Sequence, residues 1–299
     1  MAEPVKLKPR PPQVQVIGLC RFSFLCVGSF QTLPDGNLEE KRAMLFDPHR
    51  LDARMIWFEH VFLPALKAQT DPDFLMLVLL SDELPAPYRA GIEALIKGLP
   101  QFRLCSRAVG PHRETCAEVL GQFIDTTADA TAQFRLDDDD AVSVDYVARI
   151  RHDFAGLAGF YRQKQKLALD YGKGVILCDD LGKVSAIGRY TNTWTPGLTL
   201  FLPPGHPKTV LDYPHYKVMQ QMVTITMDDA VMFVRGSHDN NDSSVHTQGP
   251  KHPVKTAEAA ALLQDRFRID LAGFTSALAR YHRGSGIAAA ALRPAGPQS

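Results

Sequence analysis

The sequence has no long hydrophobic run, no excess of charge of either sign and no Cys-x-x-Cys pair. Its 299 residues include 33 Lys and Arg against 33 Asp and Glu, so the formal net charge is zero. A nucleic-acid-binding protein that works through a basic face would carry an excess of positive charge. The longest apolar stretches, residues 16–28 and 74–80, are shorter than the roughly 20 residues that a membrane helix needs. The composition therefore predicts a globular protein with no nucleic-acid partner and no membrane span.

The cysteines and the first residues bear on where the protein works. Residues 1–13 are rich in proline and basic side chains, but no apolar stretch follows them at the spacing of a signal peptide. The five cysteines are scattered and lie mostly in apolar segments, which is typical of buried, reduced thiols. We expect a cytoplasmic protein with a flexible leader at residues 1–13, a single domain at residues 14–284 and a flexible tail at residues 285–299.

Hydrophobic periodicity predicts alternating helices and strands. Five apolar residues recur at the spacing of an amphipathic helix: Leu51, Met55, Phe58, Phe62 and Leu66. The short, wholly apolar run at residues 74–80 suits a central parallel strand. We predict further helices at residues 86–97, 113–126, 144–161, 216–222 and 256–281, and further strands at residues 14–19, 102–105, 132–136, 175–178, 184–188, 198–202, 223–226 and 230–234. This alternation is typical of a doubly wound α/β sheet.

Two of the predicted strands end in acidic residues, and ligands of open α/β sheets bind beyond the carboxyl ends of strands. Asp82 follows residues 74–80, and four aspartates, residues 137–140, follow residues 132–136. Four adjacent carboxylates repel one another, and a hard divalent cation is a common way to neutralise them. By that argument, neutralising Asp139 should leave the stability of the unliganded protein unchanged or raise it. The alternative is a solvated acidic turn that caps the following helix.

Other common catalytic signatures are absent from the sequence. It contains neither the P-loop motif, nor a GxGxxG after the first strand, nor GxSxG. His238 follows a predicted strand within the segment RGSHDNN, where it could bind a metal or a phosphate, or be an ordinary loop histidine. We expect His246 and His252, in a polar loop, to have no site role.

Four segments together resemble a known family. They are RFSF at residues 21–24, the stretch at residues 54–74, RLDDDDA at residues 135–141 and GSHDNN at residues 236–241. This combination resembles a bacterial family of rhamnosyltransferases with the GT-A glycosyltransferase fold, over roughly residues 16–245. The resemblance implies a GT-A-like mixed α/β sheet flanked by helices. It also implies transfer of a sugar, rhamnose being the one in the family name, from a nucleotide-diphosphate donor to an acceptor hydroxyl in polysaccharide or glycoconjugate synthesis.

The resemblance also implies roles for particular residues. Asp137, Asp139 and His238 would bind Mn²⁺ or Mg²⁺, which stabilises the diphosphate leaving group, with Asp140 in support. Asp138 and Asp140 have the same Asp-x-Asp spacing, so the register of the motif stays open. The donor would be bound by Arg21, Asp82, Arg135, Asp137 and Asp138.

A catalytic base is expected in an inverting enzyme, whereas a retaining enzyme needs none. The corresponding segment is LDYPH at residues 211–215, where Asp212 or His215 could serve. An ordinary capping role is the alternative for Asp212. Asp228 and Asp229 form a rival acidic pair that also fits a plain turn.

Two other functions fit parts of the pattern. A haloacid-dehalogenase-like, Mg²⁺-dependent phosphohydrolase would use an Asp-x-Asp and a later acidic pair, which Asp179 and Asp180 resemble. That class places its first motif after the first strand, whereas here the motif follows more than a third of the chain. The second alternative is a catalytically inactive protein that binds a nucleotide sugar.

Overall fold

The structure, a computed structural model, describes residues 12–28, 37–239, 241, 250–254 and 256–284. Almost all of the predicted leader, the whole predicted tail and His246 lie outside these residues. The division of the chain into a leader, one domain and a tail therefore stays a prediction.

Eleven strands in the described part of the chain form two sheets. The strands are β1 (Val14–Phe22), β2 (Leu75–Ser81), β3 (Phe102–Arg107), β4 (Ala130–Arg135), β5 (Ala141–Val142), β6 (Leu167–Tyr171), β7 (Lys173–Asp180), β8 (Lys183–Tyr190), β9 (Leu198–Leu202), β10 (Thr224–Met227) and β11 (Phe233–Ser237). The larger sheet has seven strands in the order β10-β6-β9-β4-β1-β2-β3. All neighbours in it are parallel except β9, which is antiparallel to β4 and β6.

The helices are α1 (Leu38–Leu45), α2 (Pro48–Trp57), α3 (Leu63–Lys67), α4 (Ala86–Ile96), α5 (His112–Gly121), α6 (Tyr146–Lys164), α7 (Thr256–Phe267) and α8 (Leu271–His282). A π-helical turn, Phe58–Phe62, joins α2 to α3. Three 3₁₀ turns follow later, Thr195–Gly197, Val210–Asp212 and His215–Gln220. No helix within the described ranges is long and apolar enough to cross a membrane. The predicted fold class, a GT-A-like mixed α/β sheet flanked by helices, is confirmed.

Among the described residues, buried side chains pack into three clusters. One joins one face of the large sheet to α2, α4 and α6, with Phe58, Phe134 and Tyr146 among its members. A second packs the other face against α5 and the 3₁₀ turns, where Val218 and Met222 are buried. The third covers the small sheet, in the order β5-β11-β7-β8, with α7 and α8. These contacts hold the carboxyl ends of β1, β2 and β4 at a common edge.

The structure corrects several predicted elements. The predicted strand at residues 230–234 lies at Phe233–Ser237, and the predicted helix at residues 216–222 is the 3₁₀ turn His215–Gln220. The predicted helix at residues 256–281 is two helices, because Asp270 caps the start of α8 by accepting from the N–H groups of Ala272 and Gly273. The sequence pattern did not indicate α1, β6 or the separate small sheet. The two residues of β5 are too few to produce a period.

Candidate active site

The four aspartates, which we call the Asp137–Asp140 tetrad, lie in the loop that joins the two sheets. β4 ends at Arg135 in the large sheet, and β5 begins at Ala141 in the small one. The N–H of Leu136 donates to the carbonyl oxygen of Leu19 over 3.1 Å, which holds the start of the loop against β1. The tetrad therefore lies at the carboxyl edge of the large sheet, where the sequence predicted it.

The chain's own arginines neutralise the tetrad. Arg54 of α2 pairs with Asp138, with 2.5 Å between Nη2 and Oδ1, and its Nη1 donates to Oδ2 of Asp139 over 3.1 Å. Arg235 of β11 donates to Oδ2 of Asp140 over 3.0 Å. Asp138, Asp139 and Asp140 are buried.

Asp137 is the most exposed member of the tetrad, with 27% of its side chain accessible. Nη2 of Arg21 donates to its Oδ1 over 3.2 Å, and Nη1 of Arg235 lies 3.5 Å from its Oδ2. Every member of the tetrad thus has a cationic partner. The positive charge that the four adjacent carboxylates need is supplied in part by arginines from three different elements, although neighbouring members of the tetrad still raise one another's pKa values.

The environments of the four carboxyls separate their pKa values. Burial raises the pKa of Asp138 to about 7 and that of Asp140 well above its ordinary value. Burial also opposes ionisation of Asp137 and Asp139, but the nearby cations outweigh it. Arg21 holds the pKa of Asp137 below its ordinary value, and Arg54 with His238 does the same for Asp139. At neutral pH the permanently ionised members are therefore Asp137 and Asp139.

Three donors converge on one oxygen of Asp139. Besides Arg54, Nε2 of His238 lies 3.0 Å from Oδ2, and Nδ2 of Asn241 donates to it over 2.7 Å. The Asn241 side chain also accepts from the backbone N–H of His238 over 2.6 Å. Trp57 packs on the His238 ring, with 4.9 Å between centroids. His238 is thus beside the tetrad as the sequence predicted, with its Nε2 directed at Asp139.

The carboxylates themselves form a set that suits a cation. One oxygen each from Asp137, Asp139 and Asp140 lie within 4.8 Å of one another. Carboxylate oxygens are the ligands that Mg²⁺ and Mn²⁺ prefer, so the donor set fits the implied metal. This grouping contains Asp140 in the place that the sequence analysis gave to His238.

Arg21 and a further arginine, Arg135, line the edge of the sheet beside Asp137. Nη1 of Arg21 lies 2.9 Å from Nε2 of His112, and Nη2 of Arg135 donates to Oγ1 of Thr195 over 3.0 Å. Burial and, after it, the Arg21 charge lower the pKa of His112 to about 4, so the neutral ring accepts from Arg21. Burial lowers the pKa of Arg135 to about 10, so this side chain remains charged at neutral pH.

His215 is held by the backbone of an unusual residue. Its Nδ1 lies 3.0 Å from the carbonyl oxygen of Thr193, which can only accept, so Nδ1 carries the proton. Thr193 is buried and has a φ of 54°, a conformation that is strained for a β-branched residue. Burial lowers the pKa of His215, and the charges of Arg135 and Arg235 lower it further. No described residue forms a hydrogen bond with its Nε2.

The structure places the other predicted acidic residues as follows. Oδ2 of Asp212 accepts from the backbone N–H of Thr209 over 2.8 Å, in a capping box of its own 3₁₀ turn. Asp82 is exposed just after β2. Asp229 is exposed and pairs with Arg149 over 3.0 Å. Asp179 is bonded to His282 at the tip of the β7–β8 hairpin, so the acidic pair that a phosphohydrolase would need does not join the tetrad.

Arg54, Arg235 and Asn241 were not assigned roles from the sequence. Arg54 did carry a signal, because it shares the buried helix face of Leu51, Met55 and Phe58 at three-to-four spacing. A charged residue on an apolar face needs a buried partner. Nothing in the local pattern of Arg235 or Asn241 indicated contact with residues about a hundred positions earlier.

Comparison with known proteins places this chain in a family. The family described as "Putative rhamnosyl transferase" matches residues 15–250. The chain belongs to this family. The match contains the whole site, from Arg21 to Asn241. No curated protein matches the chain significantly.

Solved structures with related folds are more distant. S. aureus TarS, residues 1–349, is 10% identical with a TM-score of 0.36, and the match covers 74% of this chain and 60% of TarS 1–349. The same protein in complex with UDP-GlcNAc is 11% identical, with a TM-score of 0.37 and coverage of 79% and 62%. A Bacillus anthracis protein titled a putative glucose-1-phosphate thymidylyltransferase is 10% identical, with a TM-score of 0.33 and coverage of 74% and 88%. At these scores the likenesses carry no argument about function.

Proposed function

We propose that this protein transfers a sugar, rhamnose being the first to test, from a nucleotide-diphosphate donor to a hydroxyl of a carbohydrate or glycoconjugate acceptor. The observation that carries the proposal is the tetrad with its ionised members Asp137 and Asp139, at the carboxyl edge of the sheet in a chain of this family. We also propose that it acts in the cytoplasm, through one domain at residues 14–284.

A divalent cation is part of the proposal. Asp137 and Asp139 would bind it, with the Asp140 oxygen that lies within 4.8 Å of theirs. A bound Mn²⁺ or Mg²⁺ would stabilise the negative charge of the departing diphosphate. Arg54 and His238 keep Asp139 ionised and fix its orientation, so that its remaining oxygen can face the ion.

The arginines beside Asp137 suit the donor. Arg21 and Arg135 both lie half-buried at the carboxyl edge of the sheet, and guanidinium groups bind phosphate oxygens strongly. His112 and Thr195 hold these two side chains from behind, which reduces the entropy lost when a diphosphate binds. For Asp82, exposed at the same edge after β2, we propose a contact with the nucleoside.

His215 is the better of the two candidate bases. Asp212 is engaged by Thr209 in its own turn, whereas Nε2 of His215 is unprotonated, because Nδ1 carries the ring proton. In an inverting reaction the acceptor O–H would give its proton to Nε2 as its oxygen bonds to the anomeric carbon. The bond from that carbon to the diphosphate breaks, and the electron pair leaves on the phosphate oxygen.

The test is a thermal-shift screen of nucleoside diphosphates and nucleotide sugars, including UDP-GlcNAc and dTDP-rhamnose, with and without Mn²⁺. A ligand at ~100 times its dissociation constant should add about 2.7 kcal/mol to the free energy of unfolding. The binding ligands are then assayed for hydrolysis of the donor. Asp137→Asn should abolish the effect of Mn²⁺, whereas Asp229→Asn, at an exposed aspartate, should not. A screen with no stabilising nucleotide would contradict the proposal.

A further inference from the structure

The 3₁₀ turn His215–Gln220 divides its side chains into three rows. A 3₁₀ helix has three residues per turn, so residues three apart lie above one another. His215 and Val218 form the inward row, of which Val218 is buried in the core. Tyr216 and Met219 form an apolar outward row, and Lys217 and Gln220 form a polar row beside it.

The apolar row is unusually exposed. Tyr216 is 62% accessible and Met219 is 59% accessible. They are two of only six large hydrophobic residues that are exposed in the described part of the chain. Val218 and the nearby Met222 anchor the turn to the core, so the exposure does not come from a turn detached from the fold. The Lys217 ammonium lies 5.5 Å from the centroid of the Tyr216 ring.

The turn lies beside the candidate active site. His215 reaches Thr193, and two residues later Thr195 accepts from Arg135. Arg135 in turn is two residues before Asp137, so one short series of contacts joins the tetrad to the turn. The Tyr216 ring also lies edge-on to the His215 ring, with 5.6 Å between their centroids. A molecule that contacts the Tyr216 ring would therefore lie close to the His215 ring.

We propose that Tyr216 and Met219 form the binding surface for the acceptor saccharide. This proposal rests on the proposed function and names the surface that its acceptor would use. A sugar ring has a face of C–H groups and a rim of hydroxyls. The apolar row matches the C–H face, and Lys217 and Gln220 can bind the hydroxyls. An apolar partner protein would need a wider patch than two side chains bordered by a charge and an amide.

The proposal can be tested with simple sugars as probes. Methyl glycosides of rhamnose, glucose, galactose, mannose and N-acetylglucosamine are added to the full-length protein, and saturation-transfer NMR measures their contact with it. We expect at least one glycoside to bind the wild type. Tyr216→Ala should weaken its binding about three- to tenfold, the size typical of an aromatic contact, and Tyr216→Trp should retain it. Phe160→Ala is the matched control, because Phe160 is an equally exposed aromatic, 53% accessible, near the far end of α6.

Two other readouts separate the possible outcomes. Hydrolysis of the donor in the absence of acceptor reports the proposed function and should be the same in the wild type and in Phe160→Ala. If no nucleotide sugar is hydrolysed but glycoside binding depends on Tyr216, the proposed function fails and the saccharide surface stands. The inference is overturned if no glycoside binds, or if Tyr216→Ala and Phe160→Ala behave alike. Tyr216-dependent binding to phosphatidylglycerol vesicles in place of glycosides would also overturn it.

Discussion

Asp139 is the residue on which most polar contacts of the site converge. Arg54, His238 and Asn241 all donate to one of its oxygens, and the side chain is almost fully buried. Removing a buried charge from such a network leaves its partner unpaired, and this typically costs more than the pair itself contributes. Asp139 is therefore structural as well as a candidate ligand.

We predict that Asp139→Asn lowers the free energy of unfolding by about 3 kcal/mol at pH 7. The pKa of Asp139 is depressed in the folded state, so its contribution is present above the unfolded pKa and is lost as the pH falls through the folded one. The difference between the two proteins should therefore shrink below about pH 4. Urea unfolding at several pH values measures it. Asp229→Asn, in an exposed pair, should cost less than about 1 kcal/mol, and equal effects in the two variants would contradict the prediction.

Asp170 in β6 should show the opposite dependence on pH. It is buried, accepts from Oγ1 of Thr226 over 3.0 Å, and burial raises its pKa to about 6. The folded protein then holds this proton up to about pH 6, whereas the unfolded chain releases it near pH 4, so stability falls as the pH rises between them. We predict that Asp170→Asn removes this fall and gains up to about 3 kcal/mol over the wild type between pH 4 and pH 7. Parallel pH profiles for the two proteins in urea unfolding would contradict it.

The pKa of His215 should determine where the rate of transfer falls on the acid side of its pH profile. Burial and two arginines lower its pKa below the ordinary value, so the ring stays neutral and able to accept a proton below pH 6.5. We predict that the rate of transfer falls only below pH 6.5 in the wild type. His215→Gln should lower the rate at pH 7 by 10²–10⁴ and remove that limb. The pH profile of a donor-saturated assay checks this, and an unchanged limb in the variant would assign it to another group.

At the scale of elements, β11 approaches the tetrad so closely at Gly236 that no side chain would fit at that position. A Cβ added at Gly236 would lie 2.6 Å from the carbonyl oxygen of Asp139 and 2.9 Å from its Cβ. The Gly236 N–H donates to Oδ1 of Asp140 over 3.0 Å, so the strand cannot move away without losing this bond. Glycine here permits the small sheet to pack on the loop.

We predict that Gly236→Ala lowers the free energy of unfolding by about 1 to 3 kcal/mol and weakens nucleotide binding, because the added methyl displaces the loop. Gly159→Ala is the control. Gly159 is exposed in α6, a Cβ there would meet nothing within 4 Å, and alanine favours a helix by about 0.5 to 1 kcal/mol. The two substitutions should thus shift the thermal midpoint in opposite directions. A stabilised Gly236→Ala would contradict the close approach.

The elements also show what the sequence can and cannot predict. The amphipathic face of residues 51–66 and the apolar run at residues 74–80 were sufficient to predict α2 and β2, since each period is local. The position of the tetrad at a strand end was predicted for the same reason. The split of its pKa values was not, because it depends on Arg54 and Arg235, which lie 84 and 95 residues from the aspartates they contact. Pairing between charges that are distant in the chain produces no periodic pattern in the sequence.

For the molecule as a whole, the rate at which the buried thiols react with a reagent measures how often the core opens to solvent. None of the five cysteines, all of which lie in the described part of the chain, forms a disulfide; four of them are buried, and Cys178 is half-buried. Burial raises the pKa of Cys116 to about 12 and that of Cys20 well above its ordinary value, so neither forms the reactive thiolate at pH 8.

We predict that a thiol reagent such as DTNB labels Cys178 first in the folded protein and all five cysteines in guanidinium chloride. The slow phase should have the rate of global unfolding, because the remaining thiols lie in the core. Counting released chromophore against time at pH 8 measures both phases. Rapid labelling of two or more thiols without denaturant would show that the core opens locally.

The partners of the tetrad lie both before and after it in the chain, and this has a consequence for folding during synthesis. Arg54 and Arg21 leave the ribosome before the aspartates, but Arg235 follows Asp140 by 95 residues and His238 follows Asp139 by 99. At a translation rate of ~5–20 residues per second, the aspartates wait about 5 to 20 seconds for these partners. During that interval a nascent chain can pair β1, β2 and β4 but cannot bury Asp140 with its cation. The set of partners around the tetrad is therefore completed late in synthesis. A polypeptide released before β11 would contain all seven strands of the large sheet but neither Arg235 nor His238.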